Sequence, residues 1–306
     1  MTPPTRLRRS ELAVPASNPG MIRKAAASDA DLVFLDLEDA VAPALKSSAR
    51  ANAIEGLKSL DWGQTLRAVR VNDAETRWAH DDVIEVLEKA GHVLDILILP
   101  KVKSPRDVWF FETLVDQVEK KLGLEKRIGL EILIEEAEAL SNVEALAASS
   151  PRLEALILGF GDLAASLGIR TGHLADDSLA YPGDMWHAAR VRMISAARAN
   201  GIDAIDGPFP NFQDPAGYRR EAVWASTLGA VGKWAIHPNQ IELANDVFAP
   251  TEKEIALAKR MCDAYEAAEK GGDGAAGSGG FLVDAASVRI FEAVLERARV
   301  TGRLSD

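Results

Sequence analysis

The chain has 306 residues, 47% of them hydrophobic and 26% charged, and its 46 acidic against 35 basic side chains give a net charge of −11. This is a soluble globular composition; its negative charge argues against nucleic acid and anionic membranes as partners. The single cysteine, Cys262, excludes a disulfide framework and a cysteine-based zinc site. No apolar run approaches the ~20 residues of a membrane span, and the basic stretch holding Arg6, Arg8 and Arg9 has no apolar segment behind it. A cytoplasmic enzyme or binding protein, with no membrane partner and no secretory signal, is therefore expected.

Short apolar runs alternate with amphipathic stretches from the start. The runs lie at 12–14, 32–35, 68–71, 96–99, 132–134, 156–158, 204–205 and 233–236. Runs without polar alternation suit strands buried on both faces, as in a parallel sheet. Helical patterns cover 19–28, 45–60, 80–90, 105–122, 136–148, 183–200 and 214–228. Pro19, Pro105 and Pro215 stand near helix starts, and Gly91, Gly123 and Gly201 near helix ends, where each residue type is favoured. Eight strands alternating with helices predict an α/β fold, a (β/α)8 TIM barrel over residues 1–250. An open doubly wound sheet is the second reading, disfavoured because no glycine-rich phosphate loop follows the first strand. Residues 251–270 read as another amphipathic helix, 271–280 as a glycine-rich flexible hinge, and 285–300 as a last helix. Residues 251–306 are thus expected to form a C-terminal helical extension, a lid or a subunit-interface element.

Barrel active sites sit at the C-terminal ends of the strands. Here the strands run into Asp36-Leu37-Glu38-Asp39, Arg70-Val71-Asn72, Pro100-Lys101, Glu135-Glu136, Gly159-Phe160-Gly161-Asp162, Asp206-Gly207-Pro208-Phe209 and His237-Pro238. Together they would give a cup rich in carboxylates, which a divalent cation would neutralise. With no cysteine cluster and no histidines at ligand spacing, the ligands would be oxygens, favouring Mg²⁺ with Mn²⁺ as the second fit. Glu135 and Asp162 end neighbouring strands and are the candidate metal ligands; Asp162 reads equally well as a helix cap. Arg70, a cation in an apolar strand, is suited to hold an oxyanion or carboxylate, or to form an ion pair with Glu38 or Asp39. No Gly-x-Ser-x-Gly elbow and no Gly-Lys-Ser/Thr phosphate loop occurs, so serine-hydrolase and nucleotide-hydrolase readings have no support.

These motifs, in this order, resemble the citrate lyase β-subunit-like proteins of the HpcH/HpaI aldolase superfamily. The resemblance runs from Val33-Phe34-Leu35-Asp36-Leu37-Glu38-Asp39 through Val69-Arg70-Val71-Asn72, Leu99-Pro100-Lys101-Val102 and Leu133-Ile134-Glu135. It continues through Gly159-Phe160-Gly161-Asp162, Asp206-Gly207-Pro208-Phe209 and Gly232-Lys233-Trp234-Ala235-Ile236-His237-Pro238 to Leu282-Val283-Asp284. Within the family the last two stretches are most similar to those of malyl-CoA lyases.

The resemblance implies a carbon–carbon lyase acting on a 3-hydroxyacyl-CoA, with acetyl-CoA or propionyl-CoA and a 2-oxo acid such as glyoxylate as products. It implies Mg²⁺ on Glu135 and Asp162, Arg70 at the reacting oxygens, and Glu38 and Asp39 orienting Arg70, the metal's waters or the acetyl group. It also implies a homotrimer or homohexamer in which Asp284, on the lid, serves as acid/base over a neighbouring subunit's site; from the residues alone Asp284 reads as a helix cap. Candidate contacts to CoA and substrate are Ser17, Lys24, Lys46, Arg50, Lys101, Pro208 and His237, the cations each also readable as solvated surface charges. Residues 169–186 are expected to shape the oxo-acid pocket. One motif departs: family members often carry Pro-Gly-x-Arg-Pro after the first strand, and here Pro15-Ala16-Ser17-Asn18-Pro19 lacks that arginine, leaving Arg23 or Lys24 to replace it. Alternatives on the same fold are a citramalyl-CoA or β-methylmalyl-CoA lyase and a malyl-CoA thioesterase. A β-type citrate lyase subunit acting on an acyl-carrier-protein thioester is a further alternative.

Overall fold

Eight strands carry the apolar runs: β1 (Ser10–Pro15), β2 (Leu32–Asp36), β3 (Leu66–Arg70), β4 (Ile96–Leu99), β5 (Gly129–Ile134), β6 (Leu153–Leu158), β7 (Asp203–Asp206) and β8 (Gly232–Ala235). In the computed structural model, which describes residues 6–170, 181 and 183–304, they pair in chain order as a closed parallel barrel. Closure is made by β1 against β8, with Ser10, Glu11 and Leu12 opposite Lys233, Trp234 and Ala235. Between the strands lie α1 (Pro19–Ala26), α2 (Lys46–Ser59), α3 (Ala79–Ala90), α4 (Pro105–Leu122), α5 (Ala137–Ser141), α6 (Val143–Ala147), α7 (Phe160–Ser166), α8 (His187–Ala199) and α9 (Pro215–Leu228), and α10 (Ile241–Val247) follows β8. The single helix expected over 136–148 is two short ones, because the chain turns at Asn142, whose side-chain amide donates to the Lys103 carbonyl (3.1 Å). Most of the loop expected to shape an oxo-acid pocket, residues 171–180 and 182, lies outside the described residues.

The strands are buried on both faces, which explains their unalternating composition. Leu32, Phe34, Ala68, Ile96, Ile98, Leu133, Ala155, Ile157, Ile205 and Trp234 fill one cluster. Below it, at the N-terminal ends of the strands, Arg8 donates to Glu131 (2.7 Å), Asp203 (3.1 Å) and Glu154, while Trp234 Nε1 donates to Glu11 Oε2 (2.8 Å). Burial pushes the Glu11 and Glu131 carboxyls above the usual carboxylate range. Above the cluster, period-two alternation carries Phe34 to Asp36, Ala68 to Arg70 and Leu133 to Glu135, so the same face turns from apolar to ionic at the barrel mouth.

The chain divides into two compact units, the first over Arg8–Asn245 and the second from Asp246 onward. The second unit holds α11 (Glu252–Gly271), the strands β9 (Ala275–Ser278) and β10 (Phe281–Asp284), and α12 (Val288–Val300). Its core joins Met261, Val283 and Val288 with Leu257, Tyr265 and Phe291. Residues 271–280, expected as a flexible hinge, instead end α11 and build an antiparallel hairpin. Gly279 (φ 57°) and Gly280 (φ 84°) supply two successive left-handed residues at the two-residue turn, a conformation that glycine adopts without strain. Composition alone does not distinguish this use of glycine from a linker. Among the described residues no helix is long and apolar enough to cross a membrane.

Candidate active site

Asp36 and Arg70 are the last residues of neighbouring strands and stand opposite each other in register. Arg70 grips Asp36 bidentately, Nε to Oδ1 and Nη2 to Oδ2, both at 2.7 Å, and its Nη1 lies 3.3 Å from Glu38 Oε2. The guanidinium also stacks over Trp234 (5.5 Å) and Phe34 (5.9 Å). Asp36 accepts from the backbone N–H groups of Glu38 (2.9 Å) and Ala40 (3.1 Å) as well, so its carboxylate also shapes the loop after β2. Burial opposes the charge on Arg70, but Asp36 and Glu38 outweigh it and hold the guanidinium above its usual range. The cation is fixed in place and in charge.

Lys101 follows β4 with φ of 50°, the one non-glycine residue at positive φ among those described. Its backbone N–H donates to Glu135 Oε1 (2.8 Å). Its ammonium donates to Glu38 and to Asp39 Oδ2 (2.9 Å) and lies 3.8 Å from Asp162 Oδ1. Glu38, Asp39, Glu135 and Asp162 therefore converge around this one residue.

Glu135 is only 2% exposed and has no ion-pair partner among the described residues. Burial pushes its carboxyl up to about 8, against the opposing pull of Arg70 and the Lys101 N–H. Gly159 lies against it: a Cβ there would fall 2.6 Å from Glu135 Oε2 and 2.5 Å from its Cβ. The carboxyl thus occupies a cradle that any side chain at 159 would fill. Gly159→Ala is expected to displace it and to destabilise the fold by about 1–3 kcal/mol, measured as a lowered denaturation midpoint. Asp162 sits in the first turn of α7, 41% exposed, and makes no capping bond among the described residues. A buried carboxyl lacking a cation beside a half-exposed carboxylate is an oxygen donor set that fits Mg²⁺.

The remaining predicted contacts are more scattered. Lys46 is buried and donates to the carbonyls of Leu37 and Glu38 (both 2.7 Å), bracing the loop after β2. It lines a cleft of about 360 Å³ with Glu38, Asp39, Asn72, Trp78 and Lys101. Arg50 is engaged by Asp82 (2.8 Å) and Glu85 (2.6 Å), so it ties α2 to α3. Lys24 is exposed on α1, and Ser17 precedes Asn18, whose side chain caps that helix by accepting from Gly20 and Met21 N–H. The asparagine at the position where an arginine was expected therefore has a local structural use. Pro208 follows β7, and His237 caps the turn after β8 and stacks on Phe212 (4.9 Å). Asp284 accepts from the N–H groups of Ser287 (2.8 Å) and Ala286 (3.1 Å) ahead of α12. The Ser287 N–H bond, first among these, holds its carboxyl below the usual range.

Sequence reasoning missed Asp36 as a site residue and assigned Lys101 only to CoA. The signal for Asp36 was available: adjacent parallel strands ending in Asp and Arg place the pair side by side. Nothing in the sequence marks Lys101 as left-handed.

A barrel with this ionic mouth belongs to a known class. Residues 9–238 match the HpcH/HpaI aldolase/citrate lyase family model. The chain is 42% identical, over 97% of its length and 96% of the relative's, to an L-malyl-CoA/beta-methylmalyl-CoA lyase of Cereibacter sphaeroides (strain ATCC 17025 / ATH 2.4.3). It is 36% identical to a (3S)-malyl-CoA thioesterase of the same strain, over 90% of this chain and 89% of that one. Among solved structures it resembles the protein CitE of Mycobacterium tuberculosis in complex with magnesium, acetoacetate and coenzyme A, with a TM-score of 0.75 and 28% identity, covering 97% of this chain and 98% of that one. The chain belongs to the HpcH/HpaI aldolase/citrate lyase family. It is an enzyme of the carbon–carbon lyase type.

Proposed function

We propose that the chain is a Mg²⁺-dependent lyase that reversibly cleaves a 3-hydroxyacyl-CoA, malyl-CoA or a close relative, to acetyl-CoA or propionyl-CoA and a 2-oxo acid such as glyoxylate. The observation that carries this reading is the buried, cation-lacking Glu135 carboxyl in the Gly159 cradle at the barrel mouth, which also holds Arg70 and Asp162. Likeness over nearly the whole length to a malyl-CoA lyase supports the substrate class.

Glu135 and Asp162 hold the ion. When bound, Mg²⁺, or Mn²⁺ in its place, supplies Lewis-acid charge against oxygens that become negative. Arg70, fixed by Asp36, offsets negative charge on the reacting oxygens without having to reorganise. Glu38 and Asp39 hold the cations of the mouth in position. The thioester makes the adjacent carbon acidic enough for a carboxylate to deprotonate. In the condensation direction Asp284 takes a proton from that carbon, which then bonds to the keto carbon of the oxo acid. In cleavage a base takes the proton of the substrate's 3-hydroxyl, its oxygen becomes the carbonyl of the departing oxo acid as the carbon–carbon bond breaks, and the Asp284 carboxyl returns a proton to the enolate carbon. A carboxyl held below its usual range by N–H donors rests as the carboxylate, as a base must. The resemblance further supports a homotrimer or homohexamer in which Asp284 acts on a neighbouring subunit's site.

Asp284→Asn is expected to leave thioester binding intact and to slow cleavage by about 10²–10⁴-fold, the usual size of a general acid–base contribution. Stopped-flow turnover with a separate binding titration checks this; cleavage at the normal rate would remove Asp284 from the chemistry. The thioesterase-named relative favours a second reading, in which water attacks the thioester in the same site. Malyl-CoA, citramalyl-CoA and β-methylmalyl-CoA, each followed for oxo acid and for free thiol, decide between the two. Oxo acid without free thiol is the lyase result, and free thiol without oxo acid overturns it.

A further inference from the structure

Lys101 reaches four acidic groups of the mouth, but not equally. Its ammonium is in close contact with Glu38 and Asp39 and stands off from Asp162 at 3.8 Å, while its backbone N–H fixes Glu135 at 2.8 Å. This double reach depends on the left-handed backbone at φ 50°, which a lysine adopts only when its surroundings impose it. The geometry points to Lys101 as the residue that divides the carboxylates of the mouth: it holds Asp39 and, together with Arg70, Glu38, and leaves Glu135 and Asp162 for a divalent ion. This inference rests on the reading that those two residues hold Mg²⁺.

The division has a chemical consequence. Mg²⁺ is small, keeps waters and takes one or two protein carboxylates, whereas Ca²⁺ accepts more oxygens at longer distances and gains from each further carboxylate. With the ammonium in place the mouth offers the ion two free carboxylates. Without it, Asp39 and the Oε1 oxygen of Glu38 become available as ligands, Glu38 Oε2 staying with Arg70, and the local charge falls by one. Lys101 is thus a positioning residue that sets which divalent ion the site prefers, and it does so without ligating the ion.

The test is a calorimetric titration of the full-length protein with Mg²⁺ and with Ca²⁺, for the wild type, Lys101→Met and Lys101→Gly. The glycine variant keeps the backbone N–H to Glu135 and tolerates the positive φ, so it remains informative if the methionine variant does not fold. In either variant the Kd ratio of Ca²⁺ to Mg²⁺ is expected to shift toward Ca²⁺ by about tenfold, a gain of the size one close charge makes in a partly solvated site. An unchanged ratio in folded variants overturns the inference, and this includes equal weakening of both ions, the result of a merely structural lysine. Glu135→Gln serves as the control for the underlying reading. If the wild type binds no Mg²⁺, or Glu135→Gln binds it equally well, the metal assignment fails and the role of Lys101 fails with it.

Discussion

Arg70→Met is expected to lower the unfolding free energy by about 3–5 kcal/mol, the usual cost of stranding one partner of a buried pair, and to cut turnover by about 10²–10³-fold, as for loss of an oxyanion donor. The stability loss arises from Asp36, which is 1% exposed and would be left with only its two backbone N–H donors in place of the guanidinium. The activity loss has a different origin, the missing positive charge at the mouth. The two effects separate in the double variant Asp36→Asn/Arg70→Met, which removes the stranded charge. Its denaturation midpoint should recover much of the difference while its turnover stays low. Recovery of turnover together with stability would mean that Arg70 serves the fold alone. Lack of stability recovery would mean that the single variant's defect lies in packing against Trp234 and Phe34 rather than in the stranded carboxylate.

Glu135→Gln is expected to abolish Mg²⁺ binding and turnover together while flattening the pH dependence of stability in the metal-free protein. The folded-state value of Glu135 is raised, by burial, from an ordinary 4.5 to about 8. Above the ordinary value the unfolded chain sheds this proton while the folded chain keeps it. The stability it contributes is therefore complete below pH 4.5 and is lost as pH rises through about 8. Thermal unfolding of metal-free wild type across that window should show the fall, and Glu135→Gln should lack this component. The same linkage requires Mg²⁺ to displace the proton, so its affinity should rise with pH up to about 8 and level off above it. An affinity independent of pH over this range would exclude Glu135 as a ligand.

Much of the barrel was legible because its strands are buried on both faces, and unbroken apolar runs such as 96–99 have few other uses. Arg70 and Glu135 stood out for the same reason, as ionic residues at the ends of apolar runs. The family likeness added what periodicity cannot, the class of chemistry. The features that escaped depend on non-local geometry. Asp36 becomes a site residue only once β2 and β3 are set side by side in register. The conformation of Lys101 is imposed by its contacts, since lysine has no intrinsic preference for it. Arg50 and Lys46 read as CoA contacts or as surface cations because sequence cannot show that Asp82 and the Leu37 carbonyl would meet them inside the protein. The glycine-rich stretch 271–280 carries the composition of a linker and the geometry of a hairpin.

The Arg8 cluster at the base of the barrel bears on the order of events during synthesis. Its partners lie 123 to 195 residues further along the chain, and the seam it flanks joins the first strand to the eighth. A ribosome-bound chain that has not yet released residues 232–235 holds an open sheet with two unpaired edges, and until β5, β6 and β7 are all in place the arginine lacks its full set of carboxylate partners. Productive assembly is therefore weighted toward the end of translation, with slow, non-local closure. Until then the exposed strand edges are the segments most in need of protection from pairing with other chains.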